Sequence, residues 1–392
     1  MKLRTAFITR CMYTMFILLS MTSCRWYNAE DDIVYDRTVL VYMAADNNLS
    51  SFLQEDIDEM LNAADEIPTN CRLIIYVDDA DLPRILSVEQ QDGRRPVSKL
   101  QHQYTIEHNS GDTETLHLAM EWVIENSPSE SYGLVMWSHG SSWIPAKAPI
   151  QRAACLDSNS DSWMEMEDIA DVLEQSPRFE FIMFDACFMQ AIEVAYELRK
   201  IANYIISSPA EIPGPGAPYN RMIAPMFSFP IDTEKLVDAY YQGYREDEQY
   251  GVCLSAIDCS HLDALATTTA EMVVKYASKE TEINTDSIQR YYTADYNQHP
   301  EYYDMNGYMA RLITDEYDYA YWKSAFDKAV PHKRTTSQWY SMYTNKREHV
   351  DIENYGGISC YIPKDKSTHT TYNENFRSTA WYKVSGWELV GW

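Results

Sequence analysis

Two apolar runs in the chain end on residues able to carry out acyl-transfer chemistry. Tyr132 to Ser138 runs into His139 and Gly140, and Phe179 to Asp185 runs into Ala186 and Cys187. A cysteine nucleophile needs either a depressed thiol pKa or a base within reach. Imidazole titrates in the right range to be that base. Gly140 leaves the backbone uncovered beside His139, so its N–H and that of Cys187 form a candidate oxyanion hole. The spacing also predicts a helix from Met189 to Lys200, whose N-terminal field would favour a thiolate at Cys187. The plain alternatives are a buried structural thiol at Cys187 and a structural hydrogen-bonding imidazole at His139. Their placement at the ends of consecutive strands favours the chemical reading.

The elements that would position this pair read as an alternation of strand and helix. Thr38–Asp46, Arg72–Asp78, Tyr132–Ser138, Phe179–Asp185 and Tyr204–Ser208 are nearly continuous apolar runs with polar stops, the pattern of parallel strands buried on both faces. Between them, Leu49–Ala64 and Asp112–Asn126 carry apolar residues at helical spacing. Residues 84–106 read as a polar hairpin excursion around Asp92-Gly93. Short links between alternating elements predict an α/β fold with a mostly parallel sheet and right-handed crossovers. In such sheets ligands bind beyond the carboxyl ends of the strands, where His139 and Cys187 stand. After about residue 260 the pattern turns helical, over Leu262–Ser278, Ser287–Tyr292, Asp304–Thr314 and Ala320–Lys328. A late strand, Gly357–Ile362, is expected to return to the same sheet. Tyrosines crowd this part, from Tyr291 to Tyr321. The better reading of them is an amphipathic aromatic cap on the sheet rather than a glycan or peptide platform.

At these residues the chain resembles the clostripain family of cysteine peptidases, in the caspase-like clan. That clan runs apolar strand, His-Gly, apolar strand, then Asp/Ala-Cys. Here the motifs are Leu134–Gly140 and Phe181–Cys187. Val39–Leu49 resembles the family's opening strand, and Ser207–Gly214 the segment after the dyad. The resemblance covers roughly residues 37–230 and more loosely the rest. It implies a caspase-like α/β/α sandwich and a dyad endopeptidase with Cys187 as nucleophile and His139 as general base and acid. The founding member cuts after Arg and uses calcium. Pairing a guanidinium requires an acid, for which Asp185 and Glu211 are the candidates. Pro213, Pro215 and Pro218 crowd the loop where a dedicated acid would be sought. Related members cut themselves after a basic residue downstream of the histidine; Lys147 and Arg152 are the basic residues of Gly140–Asp161.

No cofactor is expected to be required. Calcium has one candidate loop, Asp157-x-Asn159-x-Asp161 with Asp168, but Ser162 stands where such a loop needs Gly. Ser162 to Glu165 reads better as a capping box opening a helix to Leu173. Asp78, Asp79 and Asp81 form a second acidic strand end. No zinc-peptidase, P-loop, dinucleotide or Ser-hydrolase motif occurs.

The N-terminus speaks to location. Lys2, Arg4 and Arg10 precede an apolar run, Cys11–Met21, that is too short to span a bilayer. It ends Met21-Thr22-Ser23-Cys24, which resembles a bacterial lipobox. The expected organisation is a signal peptide over 1–23, a polar tether over 24–36 after a lipidated Cys24, a catalytic domain over 37–260 and a C-terminal region over 261–392. The protein is then exported and held to the bacterial cell envelope by lipid alone. The 392-residue chain carries 32 Lys+Arg against 59 Asp+Glu, a formal charge of −27. Such a surface repels nucleic acid and anionic head groups. Peptide or protein substrates and a monomeric state are expected. The alternative is a non-catalytic surface lipoprotein binding peptide or glycan on the same scaffold.

Overall fold

A computed structural model describes residues 33–91, 94–144, 154–247, 249–278, 283–291, 302–342, 344–365 and 369–392. Fifteen strands follow one another among the described residues. The first five are β1 (Tyr35–Ala44), β2 (Cys71–Asp78), β3 (Arg84–Gln91), β4 (Arg94–Gln103) and β5 (Ser129–Trp137). Then come β6 (Ala154–Asp157), β7 (Ser162–Met164), β8 (Phe179–Asp185), β9 (Ala202–Ser207) and β10 (Cys253–Asp258). The last are β11 (Tyr302–Asp304), β12 (His332–Thr335), β13 (Gln338–Ser341), β14 (Lys346–His349) and β15 (Ser359–Tyr361). Nine of them form the main sheet, in the order β12-β10-β9-β8-β5-β1-β2-β3-β4. The five middle strands, β9, β8, β5, β1 and β2, are mutually parallel. The two strands at each edge run antiparallel to their neighbours.

The continuous apolar runs are explained by burial on both faces. Along β1, Val39, Val41 and Met43 enter one core while Leu40, Tyr42 and Ala44 enter the other. β2 divides in the same way, Leu73, Ile75 and Val77 against Ile74 and Tyr76. Side chains alternate along a strand, so two helical layers are needed to cover such a sheet. Helices Leu53–Asn62, Tyr219–Met226 and Thr233–Tyr244 fill one layer; Thr113–Asn126, Met166–Leu173, Ile192–Leu198 and Leu262–Tyr276 are in the other. The result is the expected α/β/α sandwich.

Several elements differ from the sequence expectation. β3 and β4 extend the main sheet rather than leaving it. The late strand does not join that sheet: β15 pairs with β11 in a separate two-stranded sheet. β12 takes the edge position instead, beside β10. The chain from Tyr35 to Trp392 packs as one compact unit, with 261–392 contributing β12 to the sheet begun before residue 260. Ser162–Met164 is a strand paired with β6, so Ser162 caps no helix; Met166–Leu173 starts after Glu165. No helix of the described residues is long and apolar enough to cross a membrane.

Candidate active site

β5 and β8 are adjacent and parallel, and Trp137 pairs with Asp185 at their ends. Two residues further along each strand stand His139 and Cys187. The parallel register thus sends both out of the same edge of the sheet. Ser138 ties this edge together: its hydroxyl donates to Ala44 O at 2.9 Å and accepts from Leu156 N at 3.2 Å. Asn47, just beyond β1, donates from Nδ2 to Ala44 O at 2.8 Å and to Leu156 O at 2.9 Å.

The half-buried His139 ring is joined through Nε2 to Asn48 Oδ1 at 2.6 Å. An amide oxygen only accepts, so the ring proton is assigned to Nε2 and the lone pair to Nδ1. Burial lowers the pKa of His139 below its ordinary value. Asn48 escaped the sequence reading, although Asp46-Asn47-Asn48 is the polar end of a strand two positions from β8.

Cys187 lies in a turn, and the helix beyond it starts at Ile192 rather than Met189. Phe188, at φ 64°, breaks the helical run in between. The expected helix field is therefore displaced from the thiol. Cys187 Sγ accepts instead from Ile212 N at 3.3 Å. Burial, with the Glu211 charge second, pushes the thiol up to about 12. Cys187 is half-buried, whereas Cys71, Cys155, Cys253, Cys259 and Cys360 are buried free thiols.

Gly140 is required where it stands. A Cβ there would come within 2.8 Å of Cys187 O and 2.9 Å of Ala186 Cβ. This close approach brings the backbone after His139 against the backbone of Cys187.

The two acids proposed for substrate binding are both buried. Asp185 Oδ2 accepts from Ala217 N at 2.9 Å and from Tyr219 OH at 3.1 Å, and Tyr240 also faces the carboxyl. Burial raises its pKa to about 6. Glu211 Oε1 accepts from Ser341 Oγ at 2.5 Å, and Oε2 from Met342 N at 2.7 Å. Glu211 therefore faces the β13–β14 hairpin rather than open solvent.

The two calcium candidates meet at Ser110, whose N–H donates to Asp157 Oδ2 at 3.0 Å and to Asp78 Oδ2 at 3.2 Å. Asp157 Oδ1 accepts from Ser160 N and Oγ, and Oδ2 from Ser110 N. Asp168 sits in the helix Met166–Leu173. Asp79 forms a two-bond pair with Arg84 at 2.8 and 2.9 Å. Among the described residues no group of three or more His, Cys, Asp or Glu is arranged to hold a metal ion. Cys24, Lys147 and Arg152 lie outside the described residues.

Comparison with known proteins gives concordant results. A model of the clostripain family matches residues 41–392. Clostripain of Hathewaya histolytica is 29% identical over 47% of this chain and 41% of its own length. The chain thus spans about two fifths of that curated relative. A secreted C11 cysteine protease from Bacteroides thetaiotaomicron, solved with an irreversible peptide inhibitor, superposes with a TM-score of 0.81 at 30% identity, covering 91% of this chain and 100% of that one. An inactive zymogen C11 protease from Parabacteroides distasonis gives 0.79 at 30% identity, covering 90% and 98%.

Proposed function

This chain belongs to the clostripain family, and on that premise we propose that it is a cysteine endopeptidase with Cys187 as nucleophile and His139 as general base and acid. The observation that carries the reading is the Trp137–Asp185 pairing, which gives both residues the same offset beyond one sheet edge. The resting pair is neutral: the thiol keeps its proton, and burial favours uncharged imidazole. Nδ1 of His139 takes the thiol proton as sulfur attacks the substrate carbonyl carbon. The carbonyl electron pair moves onto oxygen, held by the N–H groups of Gly140 and Cys187. The intermediate collapses, the amine leaves with the proton from Nδ1, and a thioester remains on Cys187. Water, deprotonated by Nδ1, attacks the thioester; the acid product departs and the thiolate recovers its proton. No step passes through calcium.

Cleavage after Arg or Lys is the finer reading. Asp185, two residues before the nucleophile, is a buried acid at this edge, and the chain charge is −27. Its Oδ2 lies 2.9 Å from where a Cβ on Gly216 would be, so a guanidinium reaches Asp185 only if the 214–217 segment yields. Self-cleavage after Lys147 or Arg152 is in keeping with the zymogen form among the solved relatives. Export, with lipid on Cys24, is in keeping with the secreted relative.

The deciding experiment is Cys187→Ala assayed against a fluorogenic peptide library. Loss of about 10⁴-fold or more in kcat/KM, with an unchanged circular dichroism spectrum, is expected. Wild-type turnover in that variant would remove the assignment. Peptide binding without turnover in the wild-type protein would favour the non-catalytic alternative.

A further inference from the structure

We propose that Glu211 is a positioning residue for Cys187: clamped by the β13–β14 hairpin, it holds the Ile212 N–H on the thiol sulfur. The inference rests on Cys187 being the nucleophile. Glu211 is 5% exposed. A carboxylate that deeply buried is costly unless hydrogen bonds compensate it. Both oxygens receive bonds from the hairpin, Oε1 from Ser341 Oγ at 2.5 Å and Oε2 from Met342 N at 2.7 Å. Hydrogen bonds to a charged acceptor are roughly twice as strong as neutral ones. The clamp therefore fixes Glu211 to an element about 130 positions away in sequence. The hairpin follows directly on the edge strand β12, just beyond which Thr336 N donates to Val252 O at 2.9 Å.

The amide nitrogen of Ile212 is bonded directly to the carbonyl carbon of Glu211, so it moves with that residue. It stands 3.3 Å from Cys187 Sγ. A backbone N–H aimed at sulfur stabilises the thiolate relative to the thiol. The Glu211 charge acts the other way and disfavours the thiolate. Around the thiol, Asp185 from β8 and Tyr240 from the helix Thr233–Tyr244 are the other coupled ionisable groups, and His139 leaves the neighbouring strand. Glu211 thus has two opposed influences on Cys187, and two variants separate them.

The measurement is the pH midpoint for alkylation of Cys187 by iodoacetamide, read by mass spectrometry of the peptide carrying it, with kcat and KM determined on the same preparations. Glu211→Ala loses both clamp and charge. Its midpoint should lie above that of Glu211→Gln, which loses the charge alone, and kcat should fall about 10-fold with KM moving less. Glu211→Gln sheds the charge but keeps an acceptor for Met342 N–H. Its midpoint should fall, and most of kcat should return. If the midpoint of Glu211→Ala is no higher than that of Glu211→Gln, Glu211 acts through charge alone or not at all, and the proposal is overturned. Should Glu211→Ala fail to fold, Ser341→Ala replaces it, breaking one bond and leaving the charge. A raised midpoint with about 3-fold lower kcat supports the clamp; an unchanged midpoint overturns it. Failure of the nucleophile assignment is separately visible, as peptidase activity surviving in Cys187→Ala.

Discussion

At the ends of β5 and β8 the chain leaves the sheet through His139-Gly140 and Ala186-Cys187; at the ends of β1 and β2 it leaves through Asp46-Asn47-Asn48 and Asp78-Asp79. Both ends carry buried acids. In the first, Asp185 is pushed up to about 6. In the second, Asp78 is pushed up to about 7, burial being the main cause, and it shares the N–H of Ser110 with Asp157. Each region also has a cysteine nearby, Cys187 at one and Cys155 at the other. The thiols differ in access. Cys187 is half-buried and takes an N–H from Ile212, whereas Cys155 is 1% exposed and pushed up to about 12 by burial alone. On the proposed dyad, perturbed acids do not distinguish the reactive end from the other, and a reachable thiol opposite an imidazole at matched strand positions does.

The largest expected contrast is in turnover. His139→Ala should reduce kcat by about 10³-fold or more, since the base for both half-reactions is gone. Asp78→Asn should leave kcat within about 2-fold, because Asp78 accepts from Ser110 N rather than bonding His139 or Cys187. Peptide hydrolysis assays of the two variants decide this; a large loss in Asp78→Asn would join the two ends into one site.

A pair of glycines sharpens the contrast. At Gly140 a Cβ would meet Cys187 O at 2.8 Å; at Gly111, near the acidic end, it would meet Ser162 O at 2.3 Å. Gly140→Ala should lower kcat by about 10- to 100-fold by displacing a candidate oxyanion donor. Gly111→Ala should instead lower stability by about 1–3 kcal/mol with little change in kcat per folded molecule. Thermal melting and active-site titration on each protein test the split. Equal losses of turnover would mean that strain at one end spreads to the other.

Asn48 bridges the comparison, because it follows β1 yet holds His139. Asn48→Ala should reduce kcat by about 3- to 10-fold, by freeing the ring to turn, while KM changes less. The acid limb of kcat/KM in the wild-type protein should lie below the ordinary imidazole pKa of about 6.5, since burial lowers it. A pH–rate profile checks both, and an acid limb above that value would point to an ionised resting pair.

What could be read from the sequence follows from how each element is stabilised. The five parallel strands were legible because burial on both faces writes a continuous apolar run, as in Val39–Ala44. The placement of His139 and Cys187 at one sheet edge was legible because such runs stop where the sheet ends. β4 was not legible as a sheet strand: Arg94, Arg95 and Lys99 are exposed on it, and backbone pairing to β3 rather than core burial keeps it in place. β12, His332 to Thr335, reads as polar for the same reason. The gap between Cys187 and its helix was hidden because Phe188 and Met189 are buried apolar residues that fit a helical stripe, while the positive φ of Phe188 leaves no mark in the pattern. Glu211 looked like an open acid beside a proline-rich loop. Its partners Ser341 and Met342 come from another part of the chain, which no local pattern reveals.

The smallest expected effect concerns the acidic end by itself. Asp78 is fully buried, with Oδ1 unpartnered, and faces Asp46, Asp157 and Glu107. Its folded pKa, about 7, lies above the unfolded value of about 3.9. The folded protein therefore holds the proton more tightly, and this stabilisation is present at low pH. It is lost as the pH rises towards 7, where the folded state must bury a charge. Asn is neutral throughout and keeps the shape. Asp78→Asn should thus lie closer to the wild-type protein at pH 5 than at pH 8, where it should exceed it by about 1–3 kcal/mol, seen as a melting temperature higher by a few degrees. The neighbouring carboxylates share the titration, so the gain falls short of what an isolated group would give. Melting curves of both proteins at pH 5 and pH 8 test the sign. A wild-type protein that is the more stable of the two at pH 8 would mean that Asp78 is ionised and paired when folded, and the acidic end would then have to be read as a cation site.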